Sequence, residues 1–232
     1  MDTGKILPDE VVQAFFDALA RSQTEDFPYW IEYEGDRYVV LENVFSPKYF
    51  HGWKHFNQML PDVRDKSVLE IGCGAGITTV CLSARGARRV LAVDITPQAV
   101  ENTIRNAELH GVTNIEVLES DIFSAIDPAE RFDLIYWNFP FLPLPDGYEL
   151  DSSLARGFFD PGYETLQRFL SDAPAFLASN GYVLLGWADL GDAEHLHTVA
   201  TEHQFNVTLL GAKESESVKA PRFELYQLSR FA

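Results

Sequence analysis

The sequence predicts an α/β domain built on a mostly parallel sheet covered by helices on both faces, with a helix–hairpin–helix extension in front of it. Three observations carry this. From Ser67 onward, short apolar runs alternate with amphipathic stretches of helical length. Pro97 opens one of those stretches and Gly111 closes it, the usual punctuation of a helix. The chain of 232 residues is 46% apolar and 23% charged, enough for one large core and too apolar for general disorder.

Residues 1–60 read differently from the rest. Pro8 starts a helix in which Val11, Val12, Phe15, Phe16 and Leu19 recur at helical spacing. YWIEYEGDRYVVLENVF holds two β-rich runs around a Gly35-Asp36 turn and predicts a hairpin. PKYFHGWKHFNQML then predicts an aromatic-rich helix ending at Pro61. Residues 61–232 form the second unit. SVLEIG is a strand, TTVCLSARG a helix closed by Gly86, RVLAVDI a strand and PQAVENTIRNAELHG a helix. IEVLES, FDLIYW and YVLLGW are further strands, and PGYETLQRFLSDAPAFLASNG is a helix with Pro174 inside it. The helix AEHLHTVATEH and the strands QFNVTLLGA and RFELYQLSR complete the chain.

Charge narrows the partners. With 35 acidic against 18 basic side chains the formal charge is −17, which repels a phosphate backbone, and no Lys/Arg stripe offsets it. Nucleic acid is therefore a poor expectation, and a cationic or zwitterionic small molecule suits the field better; equally, the acidity serves solubility. Cys73 and Cys81 are not at metal-ligand spacing, so a reduced, cytoplasmic protein is expected. The opening MDTGKILPDE has neither a basic nor an apolar signal segment, and no run is long and apolar enough to span a membrane.

The chemistry concentrates in VLEIGCGAG followed by VLAVDI. A buried strand runs into Glu70, Gly72, Gly74 and Gly76 and on into a helix, and glycines there let the backbone turn sharply and approach a ligand at the carboxyl end of the sheet. Asp94 ends the next strand about twenty residues beyond Gly74, where an acidic side chain reaches ribose hydroxyls. A dinucleotide fingerprint needs glycine or alanine where this chain has Ile77. Glu70 would repel a pyrophosphate and suits a cationic sulfonium amino acid.

Taken with Ser120-Asp121-Ile122-Phe123 and Asn138-Phe139-Pro140-Phe141, these segments resemble the four successive motifs of class I, Rossmann-like S-adenosylmethionine (SAM)-dependent methyltransferases, over roughly residues 67–230. The resemblance implies a seven-stranded sheet whose last strand is antiparallel, SAM as cofactor, and no metal. It implies that the glycine loop (Glu70, Gly72, Gly74, Gly76) faces the methionine part of SAM, that Asp94 with Ile95 serves the ribose, and that Asp121 and Ile122 flank the adenine. Asn138-Phe139-Pro140-Phe141 is similar to the Asn-Pro-Pro-Tyr/Phe loop of nitrogen methyltransferases, with Asn138, Phe139 and Phe141 in the catalytic positions and Asn138 also close to the cofactor. In that loop the Asn oxygen and a backbone carbonyl accept the N–H bonds of the nucleophile and align its lone pair. Phe139 departs from the family's first proline; Pro140 still holds it extended, and its ring could narrow the site or stack on substrate. Without a substrate role, Asn138 caps the strand end.

The segment from Phe141 to Asp160 shows little periodicity and reads as a long functional loop offering Tyr148, Glu149, Asp151, Arg156 and Asp160. Glu149, Asp151 or Asp160 is a candidate proton acceptor. Tyr49, Phe50, Trp53 and Phe56 form either a lid over SAM or core. His51 and His55 share a helical face but lack a third ligand. The expected activity is methyl transfer to a nitrogen of a small molecule or peptide side chain. Two rivals remain: cyclisation of SAM itself to azetidine-2-carboxylate and methylthioadenosine, and a SAM-binding regulator without catalysis. The sequence leaves the oligomeric state open.

Overall fold

The computed structural model describes residues 5–214 and 221–231. In chain order the elements are α1 (Asp9–Ser22), the hairpin β1 (Tyr29–Tyr33) and β2 (Asp36–Val40), and α2 (Gly52–Met59). There follow β3 (Ser67–Ile71), α3 (Ile77–Ala84), β4 (Arg89–Asp94), α4 (Pro97–Leu109), β5 (Ile115–Glu119) and β6 (Phe132–Asn138). The chain continues through β7 (Leu142–Leu144), β8 (Phe159–Pro161), α5 (Glu164–Phe176), β9 (Leu177–Ala188), α6 (Ala193–Glu202), β10 (Phe205–Glu214) and β11 (Arg222–Arg230).

Seven strands form one sheet in the order β10-β11-β9-β6-β3-β4-β5. β4, β5, β6 and β9 run parallel with β3, while β11 pairs antiparallel with both β9 and β10, as the resemblance implies. The central strands read as continuous apolar runs because both faces are covered. Along β6, Phe132, Ile135 and Trp137 join one core with α5 and α6. Leu134 and Tyr136 point the other way and join Phe56 of α2 and Leu82 of α3. After β3 the chain moves to β4 on one side, and after β5 it returns to β6 on the other. The carboxyl ends of β3 and β6 therefore flank the point where the strand order reverses, the place where such sheets bind ligands.

The N-terminal hairpin is tied to this domain by two fully buried asparagines of α4. Asn102 and Asn106 each donate to the Val39 carbonyl, at 2.9 and 2.8 Å, and their side-chain oxygens accept from the amides of Leu41 and Val39. Both also donate to the Ala75 carbonyl in the glycine loop, so hairpin, helix and loop share one polar cluster.

Four expectations need correction. The hairpin turn is Glu34-Gly35, one residue earlier than predicted, because both residues take positive φ (53° and 89°) in a tight two-residue turn. α2 starts at Gly52, not at Pro47, since Tyr49 and Phe50 fold back onto the Ser46 carbonyl as a turn. The helix expected from Pro161 to Gly181 spans only Glu164–Phe176: Gly162 and Tyr163 are left-handed, and Leu177 already pairs with Phe132 in the sheet. Finally, the 141–160 segment is not irregular. β7 and β8 close it as a parallel pair, and a 3-10 turn spans Ser153–Gly157.

Candidate active site

A cleft of about 670 Å³ opens at the carboxyl ends of β3, β4, β5 and β6. Its floor is the turn after β3. Gly72, Gly74 and Gly76 all have positive φ, but they serve different ends. A Cβ on Gly74 would meet nothing within 4 Å, so this position faces open cleft. A Cβ on Gly76 would lie 2.7 Å from the Thr103 backbone, so Gly76 is required by the close approach of α4, and it does not line the cleft.

Two carboxylates stand beside the turn. Asp94, half-buried at the end of β4, accepts the Gly74 amide at 3.0 Å and, on its other oxygen, the Thr96 amide and hydroxyl at 3.0 and 2.9 Å. Burial raises its pKa, opposed by those hydrogen bonds. Glu70 is almost wholly buried at the end of β3, where its carboxylate accepts the Thr79 hydroxyl at 2.5 Å. Burial pushes its pKa up to about 8, with the Thr79 bond lowering it and the Asp94 charge raising it. A positive charge in the cleft would relieve both acids. Ile95 beside Asp94 is 44% exposed in the cleft and offers an apolar surface. Open space over Gly74, acids on one side and an exposed apolar side chain on the other fit the sulfonium, amino and adenosine parts of SAM.

After β5, Ile122 has a φ of 54°, a strained backbone for a β-branched residue, and its side chain is buried beside the cleft. Asp121 pairs with Arg168 of α5 at 2.7 Å, a contact between distant residues that no local pattern signals. After β6, Asn138 and Pro140 line the cleft. The half-buried Asn138 side chain has no hydrogen-bond partner among the described residues, so it is not spent on capping the strand. Phe139 is different from expectation: its ring is buried, stacked on Trp187 at 5.5 Å and edge-on to Trp137 at 5.0 Å, and faces the core instead of a substrate. The Phe141 ring also lies outside the cleft, against Trp187, while its carbonyl accepts the Tyr163 hydroxyl at 2.9 Å. Tyr163 and Trp187 thus support this loop, and sequence reasoning missed both.

The 145–160 segment brings Tyr148, Glu149, Asp151 and Arg156 to the cleft, all exposed. Asp160 lines it too, and its two oxygens accept the amides of Thr165 and Leu166 at the start of α5; burial raises its pKa, opposed by those hydrogen bonds. Of the aromatic block, Trp53 lines the cleft, its indole donating to the Pro47 carbonyl at 3.0 Å. Phe56 is core against Phe223, Phe50 packs on Phe45 and Phe158, and the Tyr49 hydroxyl donates to Glu25. His51 bonds the Lys48 carbonyl and His55 stacks on Phe223. Among the described residues, no group of three or more His, Cys, Asp or Glu could hold a metal ion.

The methyltransferase-domain family matches residues 68–156. A provisionally named protein N5-glutamine methyltransferase from Methanocaldococcus jannaschii is 39% identical over 155 residues, covering 66% of this chain and 76% of that protein. A release factor glutamine methyltransferase from Xylella fastidiosa is 30% identical over 180 residues, covering 72% of this chain and 64% of that one. Among solved structures, the T. thermophilus 16S rRNA N2 methyltransferase in complex with AdoMet and guanosine superposes with a TM-score of 0.60 at 22% identity, over 88% of this chain and 50% of that one. An E. cuniculi complex responsible for methylation of a translation termination factor gives 0.60 at 16% identity, over 82% and 99%. The last two likenesses are of fold.

Proposed function

The chain belongs to the class I SAM-dependent methyltransferases, and from that premise we propose that it methylates the side-chain amide nitrogen of a glutamine in a protein of the translation apparatus. The observation that carries the reading is Asn138: a half-buried amide at the end of β6, facing the cleft with its polar atoms uncommitted. An amide nitrogen is a poor nucleophile whose lone pair is delocalised over a plane, so its orientation is what a site can improve.

Bound SAM supplies an activated methyl electrophile. The residues of this chain do the rest. Glu70, Asp94 and the turn at Gly74 would hold the cofactor. Asn138 Oδ1 would accept one N–H of the glutamine amide and the Phe139 carbonyl the other, fixing the orientation of the nitrogen. The nitrogen sheds a proton as it is methylated, and Glu149 or Asp151 at the rim receives it, directly or through water.

Kinship with proteins named for glutamine methylation favours a protein acceptor over a free small molecule, and an outside nitrogen over ring closure within SAM. A cytoplasmic location belongs to the same proposal. It is supported by two cysteines without a disulfide and by the release-factor kinship; no helix among the described residues is long and apolar enough to cross a membrane. Residues 1–60 serve as an extension contributing Phe45, Pro47 and Trp53 to the cleft wall.

The test is incubation of purified protein with methyl-labelled SAM and glutamine-containing peptides, followed by mass spectrometry of the glutamine. Label on the glutamine with formation of S-adenosylhomocysteine is expected. Methylthioadenosine formed from SAM alone, with no label on any acceptor, would overturn the reading in favour of cyclisation.

A further inference from the structure

We propose that Tyr163 is a positioning residue for the catalytic loop: its hydroxyl, backed by a four-ring stack, sets the direction of Asn138 and the Phe139 carbonyl. The inference rests on the nitrogen-methylation reading above.

The loop from Asn138 to Phe141 leaves the sheet at β6 and is pinned at both ends. At its start, Asn138 lies beside Gly186 in β9, and the Phe139 amide donates to the Gly186 carbonyl at 3.2 Å. At its end, the Tyr163 hydroxyl donates to the Phe141 carbonyl at 2.9 Å. The same oxygen accepts the Asp192 amide at 2.9 Å, so the hydroxyl is fully used and couples the loop after β6 to the start of α6. Only Pro140 lies between the two hydrogen-bonded residues Phe139 and Phe141, and proline fixes its own φ and restricts the residue before it.

Phe139 stands where the similar loops carry a proline, and its side chain takes over part of that rigidity. Its ring stacks on Trp187 (5.5 Å, 10° between planes), Trp187 stacks on Tyr163 (5.8 Å, 22°), and Tyr163 stacks on His195 of α6 (5.0 Å, 21°). Phe139, Trp187 and Tyr163 are each at most 5% exposed. The stack runs from the loop to α6, and Tyr163 reaches the loop twice, directly through its hydroxyl and indirectly through Trp187. Tyr163 also adopts a left-handed backbone (φ 53°), which a tyrosine takes only when its surroundings hold it there. That conformation places it between the Asp160-capped start of α5 and the loop.

The experiment compares Tyr163→Phe, which keeps the ring and loses the hydroxyl, with Tyr163→Leu, which loses both. With a glutamine peptide acceptor, Tyr163→Phe should lower kcat about 10- to 100-fold while SAM affinity and acceptor KM stay within about twofold, the pattern of lost alignment and not of lost binding. Tyr163→Leu should be slower again. Wild-type kcat in Tyr163→Phe overturns the proposal, and so does a fall explained by weaker SAM binding. Should wild-type protein methylate no glutamine peptide, the functional reading fails by itself, and amide exchange then decides the present point. Tyr163→Phe should exchange faster at Phe139 and Leu142 than wild type, with the β3 and β4 amides unchanged; equal exchange at Phe139 and Leu142 refutes the anchor.

Discussion

The Asp94 carboxylate accepts the Gly74 amide at 3.0 Å, which makes the end of β4 and the glycine turn after β3 a single unit. An acid expected only to meet ribose therefore also shapes the turn expected to face the methionine part of SAM. Asp94→Ala should weaken SAM binding by about 1–3 kcal/mol, from lost charge-assisted hydrogen bonds and a looser turn. Isothermal calorimetry on the folded variant reads this directly; unchanged affinity would sink the assignment.

Gly74 and Gly76 should separate binding from stability. Gly76→Ala drives a Cβ to 2.7 Å from the Thr103 backbone on top of an unfavourable φ, and should destabilise the fold by about 2–4 kcal/mol. Gly74→Val puts its side chain into open cleft and should abolish SAM binding, at a stability cost of about 1–2 kcal/mol from its φ. Denaturant melts and calorimetry on the pair test this. A Gly74→Val protein that binds SAM as wild type does would remove the cofactor from this turn.

Glu70 predicts a pH dependence. Its pKa lies at about 8 in the fold against 4.5 for a free side chain, so between those values the folded state holds a proton that the unfolded chain has released. Its contribution is thus complete below about pH 4.5 and is lost as pH rises toward 8, with a slope of at most about 1.4 kcal/mol per pH unit. Glu70→Gln should flatten the stability profile across that window in urea titrations. A profile parallel to wild type would mean that Glu70 is ionised throughout. Because a cation beside Glu70 favours its ionised form, SAM binding near neutral pH should release a proton in wild type and less of one in Glu70→Gln, measured by calorimetry in buffers of different ionisation enthalpy.

Asn138 carries the functional reading. Asn138→Ala should leave SAM affinity nearly intact and reduce turnover by about 100-fold or more. Asn138→Asp keeps the shape and an acceptor oxygen but loses the amide donor and adds charge. A neutral glutamine amide should tolerate it badly, whereas a cationic acceptor would bind more tightly and react more slowly. Steady-state kinetics on both variants with a glutamine peptide decides between them, and wild-type turnover in both would leave Asn138 without a catalytic part.

What the sequence determined by itself follows from local pattern and close contact with the backbone. Apolar runs alternating with helical stretches specify the sheet and its covering, since each run must bury both faces. Gly72 and Gly74, Asp94 and Asn138 could be placed in the cleft because strand ends and turn glycines are written within a few residues of one another. Tertiary structure alone decided which glycine faces the open cleft, because only the approach of Thr103 on α4 distinguishes Gly76 from Gly74. It likewise turned the Phe139 ring inward, where Trp137 and Trp187 bury it, and committed Asp160 to the backbone of α5. The pairing of Asp121 with Arg168 and the anchoring of Phe141 by Tyr163 join residues 47 and 22 positions apart. Contacts over such separations leave no periodic trace in the chain, because they depend on where strands and helices stop and not on what repeats within them.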